Sequence, residues 1–497
     1  MPFDTIFSWI IKKRIEQIEQ FTNHPIEAQK SVLNDLLGKG KHTEIGIEHG
    51  FSDIGTYHDF KKNVPLRTYE DFTPYINKSI AGEENILWPG KTHWFSKSSG
   101  TTDAKSKFIP VTQEAIQDCH YKGGKDLLSI YYHNNPSAKL FSGKHLILGG
   151  NTSLNKLNQD SYFGDLSAII VKNLPFWAEI RRTPSKEITL MENWEEKIDK
   201  MAKASLKEDV KIIAGVPSWM LVLLNKISEV SQGKRLTEIW PNLELYMHGG
   251  VNFEPYRNQF ESILHSQKLN YYQTYNASEG FFSLQNKNKA EDMLLMLDYG
   301  IFYEFIPMDK FDGTESETIE LQEVELNKNY ALVISTNGGL WRYIVGDTVK
   351  FTSLSPFKIQ VTGRTKHFIN AFGEELIIEN TDRAIASACK ETNSGFKEYT
   401  VAPNYLEGNE KGAHEWVIEF TSPPKNLEEF AEILDKKLME LNSDYEAKRN
   451  MILKAPIVHL AAPNTFQKWL KEKGKLGGQN KIPRLKNDRV FMEEILS

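Results

Sequence analysis

Hydrophobic and polar positions divide the chain into segments of different period. The first 21 residues, MPFDTIFSWIIKKRIEQIEQF, carry apolar side chains at helical spacing with charge between them, which predicts an amphipathic helix. Residues 26–37 repeat the pattern, and Gly38-Lys39-Gly40 is the expected C-terminal stop. From residue 145 the pattern shifts to short apolar or β-branched runs closed by glycine or turn residues: HLILGG (145–150), SAIIV (167–171), KIIAGV (211–216) and LELYMHGG (243–250). These read as buried strands, and the helical windows at 194–206 and 218–230 between them predict a sheet covered by helices.

After Tyr275 the period is that of strands. MLLMLDYGIFYEFIP (293–307), ETIELQEVEL (317–326), YALVISTNGGLWRYIVGDTVKFTS (330–353) and FKIQVTGR (357–364) predict a β-rich, barrel-like subdomain at about 290–362. Beyond Gly363, helical windows at 377–389 and 427–441 flank the strand-like KEYTVAP (397–403) and HEWVIEFTS (414–422). The predicted class is α/β. Residues 1–362 form a large domain, 363–366 a hinge, and 367–497 a small, mobile α+β domain.

Composition narrows the possibilities. With 497 residues the chain is too long for one core, and 40% apolar with 25% charged residues is that of a globular protein. The net charge of −6 recommends neither nucleic acid nor an anionic membrane as partner. Two cysteines, Cys119 and Cys389, are too few for a disulfide framework and are expected in the packing of a cytoplasmic protein. The N-terminus puts its apolar residues before its lysines, the reverse of a secretory signal, and no stretch reaches membrane-spanning length. The 13 histidines show no zinc spacing and there is no Gly-x-Ser-x-Gly elbow, so single histidines such as His120 read as structural or surface residues.

One stretch raises a chemical question. SKSSGTTDAKSKF (96–108) offers small residues, free N–H groups, hydroxyls and lysines, which are the requirements of a polyphosphate cradle and also the contents of any solvated loop. It is neither a Walker loop nor a dinucleotide fingerprint. It resembles the nucleotide loop of the adenylate-forming superfamily, and companion motifs follow in that superfamily's order: Tyr275-Asn276-Ala277-Ser278-Glu279-Gly280, Tyr343-Ile344-Val345-Gly346-Asp347, Gly363-Arg364 and Asn480-Lys481-Ile482-Pro483-Arg484. SSGTTDAKSKF, Ala-Ser-Glu-Gly, GGLWRYIVGDTVKF, GRTKHFINAFGEEL and the early FSDIGTYHDFKKNVPLRTYEDFTPYI are similar to one branch in particular. That branch is the Gretchen Hagen family of acyl acid-amido synthetases, known from auxin-responsive plant proteins and bacterial relatives.

The resemblance implies an enzyme that joins a small carboxylic acid to ATP as acyl-AMP and then to an amine, typically an amino acid, with ATP and Mg²⁺ as cofactors. It implies that Ser98, Ser99, Gly100, Thr101 and Thr102 hold the β- and γ-phosphates. Lys107 is the expected cation, but Asp103 stands where the superfamily has glycine and its lysine falls one position earlier, so Lys105 and Lys107 both stay open. Glu279 is implied as catalytic residue and Mg²⁺ ligand, Asp347 as the ribose carboxylate, and Tyr275, Asn276, Ala277, Ser278, Gly249 and Gly250 as further ATP contacts. His248-Gly249-Gly250-Val251 equally suits a plain tight turn.

Arg364, with Lys366 beside it, is implied as a catalytic residue at the hinge, pairing with phosphate in one state and with protein in the other, and an ordinary surface salt bridge competes for both. Lys481 is the implied catalytic lysine, in a segment (471–489) with seven basic and two acidic residues that is also what a frayed C-terminus contains. Gly215 to Leu224, GVPSWMLVLL, is a candidate acyl-pocket wall or a buried strand–helix junction. The competing functions are acyl transfer to a thiol, as in acyl-CoA ligases, and a non-catalytic nucleotide-binding homologue.

Overall fold

A computed structural model describes residues 2–99, 106–149, 154–174, 176–251, 253–264, 268–365, 368–405, 410–472 and 482–496. Two long N-terminal helices, Pro2–Asn23 and Pro25–Gly40, open the chain as the apolar period predicts. The second does not stop before Gly38-Lys39-Gly40 but runs through it. The glycine serves packing instead: a Cβ on Gly40 would sit 2.7 Å from the Trp341 ring. Thr43 does the terminating, donating from its hydroxyl and its N–H to the Gly40 carbonyl while its Oγ1 caps the next helix, Glu44–Glu48.

Eleven strands make one sheet, in the spatial order Ile301–Pro307, Asn329–Thr336, Tyr343–Leu354, Phe357–Arg364, Met293–Leu295, Gly280–Leu284, Asn270–Ala277, Leu245–Gly249, Val210–Gly215, Lys144–Leu148, Arg182–Thr183. The last five pair in parallel, with the helices Trp194–Ser205, Pro217–Val230 and Glu254–Leu264 in the connections between them. The remainder pair antiparallel, so the β-rich stretch at 290–362 forms the antiparallel end of this same sheet.

Two expected strands are something else. SAIIV lies in the helix Leu166–Lys172, with Ala168, Ile169 and Val171 buried; a five-residue apolar run carries no period that separates the two states. ETIELQEVEL supplies isolated bridges at Ile319 and Leu326 around a short 3₁₀ turn, Leu321–Glu323, because the Glu323 carboxylate accepts from the Glu320 N–H and closes the chain locally.

A hairpin of Trp94–Ser99 and Ser106–Val111, joined in parallel by Tyr162–Gly164, forms a small second sheet that holds both ends of the SKSSGTTDAKSKF stretch. The C-terminal part is a three-stranded sheet, Gly395–Asn404, Ala413–Ser422 and Ile457–Leu460, with the helices Ile378–Glu391, Leu427–Leu441 and Ser443–Met451. Its Phe372, Trp416 and Leu453 share one apolar cluster with Ile213, Leu224 and Tyr246, so it packs directly on the parallel half of the large sheet. Among the described residues no helix is long and apolar enough to cross a membrane.

A buried ion pair ties the end of the helix Tyr57–Asn63 to the antiparallel strands. Arg342, at φ +48°, donates to both oxygens of the fully buried Glu304 at 3.0 to 3.1 Å, to the Val64 carbonyl at 2.7 Å and to Thr318 Oγ1 at 2.8 Å. Arg342→Met strands the Glu304 charge and is expected to lower the unfolding free energy by about 3–5 kcal/mol in a urea titration; a loss below about 1 kcal/mol would show that the pair contributes little.

Candidate active site

The carboxyl ends of the parallel strands open into a cleft of about 1660 Å³, closed from the far side by residues of the C-terminal part such as Asn370, Glu375 and Lys448. Such a position at the strand ends is where open α/β sheets hold ligands. Gly249 and Gly250 form part of its wall. A Cβ on Gly249 would lie 2.4 Å from the Thr274 carbonyl, and Gly250 has φ +84°, so the local sequence presents bare backbone here for physical reasons. The preceding His248 stacks on Phe253 at 4.2 Å, and burial pushes its imidazole down to about 3, leaving it neutral.

The titratable groups form two linked pairs. Asp347 and Arg364 face each other across antiparallel strands, next to Gly346 and Gly363, both at positive φ. Arg364 Nε lies 2.9 Å from Asp347 Oδ1 and its terminal nitrogen 2.7 Å from Glu375 Oε1, while the Tyr275 hydroxyl donates to Asp347 Oδ2 at 2.6 Å. Burial opposes the guanidinium charge, but Glu375 and Asp347 more than offset it and hold the Arg364 pKa above its ordinary value. Burial raises the Asp347 carboxyl despite Arg364.

In the second pair, buried Lys107 donates to the Tyr343 hydroxyl at 3.4 Å, and that hydroxyl donates to Glu279 Oε1 at 3.3 Å. Burial lowers the Lys107 ammonium and raises the Glu279 carboxyl, each partly countered by the other's charge.

Of the residues singled out in sequence, Ser98, Lys107, Gly249, Gly250, Tyr275, Asn276, Ala277, Ser278, Glu279, Asp347 and Arg364 all border this one cleft. Gly100, Thr101, Thr102, Asp103, Lys105, Lys366 and Lys481 lie outside the described residues, as does the side chain of Ser99. Ser278 is fixed from the hairpin, its hydroxyl 2.8 Å from that of Ser96. The sequence reading passed over three members of the cleft region. His120, set aside as structural or surface, is buried in the cleft wall and donates from Nδ1 to Asn276 Oδ1 at 3.0 Å. Tyr343 bridges Lys107 and Glu279, and Glu375 sits inside the quoted GRTKHFINAFGEEL, where the motif itself was the available signal.

No group of three or more His, Cys, Asp or Glu among the described residues could enclose a metal ion. Glu279 is a single hard-oxygen donor, which fits Mg²⁺, an ion that takes one or two protein carboxylates and completes its shell with phosphate and water.

The fold is the one found in adenylate-forming enzymes. The chain belongs to the GH3 family: residues 14–269 match the GH3 family N-terminal domain, 294–364 its central domain and 379–490 its C-terminal domain. It is 24% identical over 402 residues to the jasmonoyl–L-amino acid synthetase JAR4 of Nicotiana attenuata, covering 68% of each chain. To the indole-3-acetic acid-amido synthetase GH3.3 of Arabidopsis thaliana it is 24% identical over 477 residues, covering 82% of this chain and 76% of that protein. Among solved structures it is similar to the GH3.15 acyl acid amido synthetase, with a TM-score of 0.62 and 18% identity over 97% of this chain and 95% of that one. It is also similar to 2-hydroxyisobutyryl-CoA ligase in complex with 2-HIB-AMP and CoA, with a TM-score of 0.59 and 12% identity over 95% of this chain and 92% of that one.

Two outcomes follow from these pairings. Tyr275→Phe keeps the ring against Phe282 (4.8 Å) but removes one of the two groups that orient Asp347; ATP affinity, followed by fluorescence titration, is expected to fall roughly tenfold, and an unchanged Kd would remove Tyr275 from that task. A carboxyl raised on folding favours the folded state at low pH and loses that advantage as pH climbs past its ordinary value, 4.5 for glutamate. Glu279→Gln is therefore expected to make the urea-unfolding free energy fall less between about pH 4.5 and 7, and an identical slope in the two proteins would contradict the burial of this charge.

Proposed function

We propose that the protein is an ATP-dependent acyl acid-amido synthetase that activates a small carboxylic acid as acyl-AMP and transfers the acyl group to an amino acid. The observation that supports this most is the convergence of Lys107, Glu279, Asp347 and Arg364, from distant parts of the chain, on one cleft. In the first half-reaction an oxygen of the acid attacks the α-phosphorus of ATP in line, and pyrophosphate leaves with the bonding pair. In the second, an uncharged amine attacks the carbonyl of the mixed anhydride, the acyl–oxygen bond breaks, AMP departs and the amine proton is released.

The chain's residues divide this work. An ionised carboxylate has about four acceptor sites. Asp347 uses one oxygen for Arg364 and the other for Tyr275, which leaves a lone pair on each for two ribose hydroxyls. Ser98 and Lys107 border the cleft at the two strand ends, and the segment 98–102 and the Lys107 ammonium are the proposed holders of the triphosphate. Glu279 would hold Mg²⁺, whose chemistry there is to neutralise phosphate charge. Lys481 is the proposed donor to the α-phosphate as pyrophosphate leaves. Backbone at Gly249 and Gly250 gives a flat surface for adenine.

Gly215, Val216 and Trp219 border the cleft and, with Ile147 and Met247, provide an apolar wall for the acid. Residues 363–366 are proposed as the pivot between a large domain, 1–362, and a small one, 367–497, with Arg364 as the pin of this arrangement. Cys119 and Cys389 are free and buried, in keeping with a cytoplasmic setting. Similarity to a CoA ligase favours one second reading, transfer to the thiol of coenzyme A.

The test is incubation with ATP, Mg²⁺ and a panel of aryl and acyl acids, with pyrophosphate and product mass followed in the presence of amino acids or coenzyme A. Acid-dependent pyrophosphate and an amide product are expected; a thioester in place of the amide would select the second reading, and no pyrophosphate from any acid would sink both. Lys481→Ala is expected to slow adenylation by about 10²-fold or more with a smaller change in the ATP Kd, and an unaltered rate would take Lys481 out of the mechanism.

A further inference from the structure

The helix Ser443–Met451 carries two consecutive bases that are used differently. Arg449 is consumed inside the protein: it donates to both oxygens of Asp435 at 2.7 to 2.9 Å and to the Leu453 carbonyl at 2.6 Å. Lys448 is not. Its residue is only 6% exposed, yet among the described residues its ammonium has no hydrogen-bond or ion-pair partner; its one contact of that kind is the face of Trp219, 4.7 Å from the ring centroid. It borders the active-site cleft, as do Gly215, Val216 and Trp219. The turn before Glu375 confines it further, since a Cβ on Gly373 would come within 3.1 Å of its Cε.

A lysine whose stem is buried and whose ammonium reaches a cleft keeps its charge open to an anionic ligand. A ring face supplies a weaker attraction than a carboxylate does. Two cations at the proposed nucleotide end are already matched: Arg364 by Asp347 and Glu375, and Lys107 by Glu279 through Tyr343. Lys448 approaches from the C-terminal part beside an apolar indole. A free amino acid brings to the second half-reaction a carboxylate that must enter the cleft with its amine, whereas a simple amine or coenzyme A's thiol brings none at its reacting end.

Resting on the amido-synthetase reading, we propose that Lys448 is a specificity-determining residue that receives the α-carboxylate of the acceptor amino acid, with Trp219 holding its side chain in place. The ammonium thereby selects amino acids over amines of equal size and fixes which end of the acceptor points toward the acyl-adenylate.

The test compares amino acids with their decarboxylated counterparts, alanine with ethylamine and phenylalanine with phenethylamine, using the panel acid that yields most pyrophosphate. For the wild type and for Lys448→Met and Lys448→Arg, kcat/KM is measured for each acceptor by amide mass, with thermal melting to confirm folding. The preference of the wild type for the amino acid is expected to fall roughly ten- to hundredfold in Lys448→Met, through the amino-acid KM, and to be largely regained in Lys448→Arg. Equal loss for amino acid and amine would mark a structural role only and overturn the proposal, as would an unchanged preference. A change confined to the KM of ATP or of a dicarboxylic acid would assign the ammonium to another anion and overturn it too. If the wild type yields thioester and no amide, the amido-synthetase reading itself fails and this role falls with it; amide formation with an unaffected preference sinks Lys448 alone.

Discussion

Burying the Arg364 guanidinium is the constraint on which the rest of the site depends. A guanidinium taken out of water is tolerable only when its donors meet anions in good geometry. The chain meets that demand with two carboxylates from different parts of the molecule. Asp347 faces it across the ladder, and Glu375 comes from the segment that leads into the C-terminal part. The same pairing therefore orients the carboxylate on the sheet and attaches the C-terminal layer above it. Tyr275 and the adjacent glycines follow from it: the hydroxyl completes Asp347, and Gly346 and Gly363 let the two strands turn at the point where the charges meet.

The arginine at a proposed pivot then has a physical meaning. Its two acceptors lie on either side of residue 366, so relative movement of the two sides would have to break one pairing or the other. Breaking the Asp347 pairing leaves that carboxylate with Tyr275 alone among the described residues, in a cleft that already holds Glu279. Any rearrangement needs a compensating cation or anion to arrive, and substrate phosphates and the basic segment at 471–489 are the charges of the right kind.

Segments with long, clean periods were legible in the sequence: the helix Leu427–Leu441 and the strand Phe357–Arg364 coincide with their predicted windows. What failed depended on contacts the sequence does not display. Gly40 looks like a helix stop until Trp341 is placed against it, and SAIIV is as apolar in a helix as in a strand. For the site, ordered motifs named residues that border one cleft, because those motifs are local in sequence. His120 and Lys448 escaped for the opposite reason. Neither belongs to a motif, His120 ending the π-helix Ala115–His120 and Lys448 lying in Ser443–Met451, and the distinction of each lies in what surrounds it: Asn276 for one, Trp219 and an absence of paired anions among the described residues for the other.

Charge balance across the cleft is asymmetric in a way that suits two successive reactions. At the proposed nucleotide end, among the described residues, Lys107 and Arg364 already face Glu279, Asp347 and Glu375, so a polyanion cannot simply fall into a positive hole. It has to exchange Lys107's attraction to Glu279 for its own, and the affinity left over is the difference between two strong terms. Such a site can bind ATP and still release pyrophosphate and AMP. On the side of the C-terminal part Lys448 faces an indole and, among the described residues, is paired with no anion, so a single carboxylate there is gained without exchange. A weakly held, singly charged acceptor needs that kind of site, and a tightly held triphosphate needs the other.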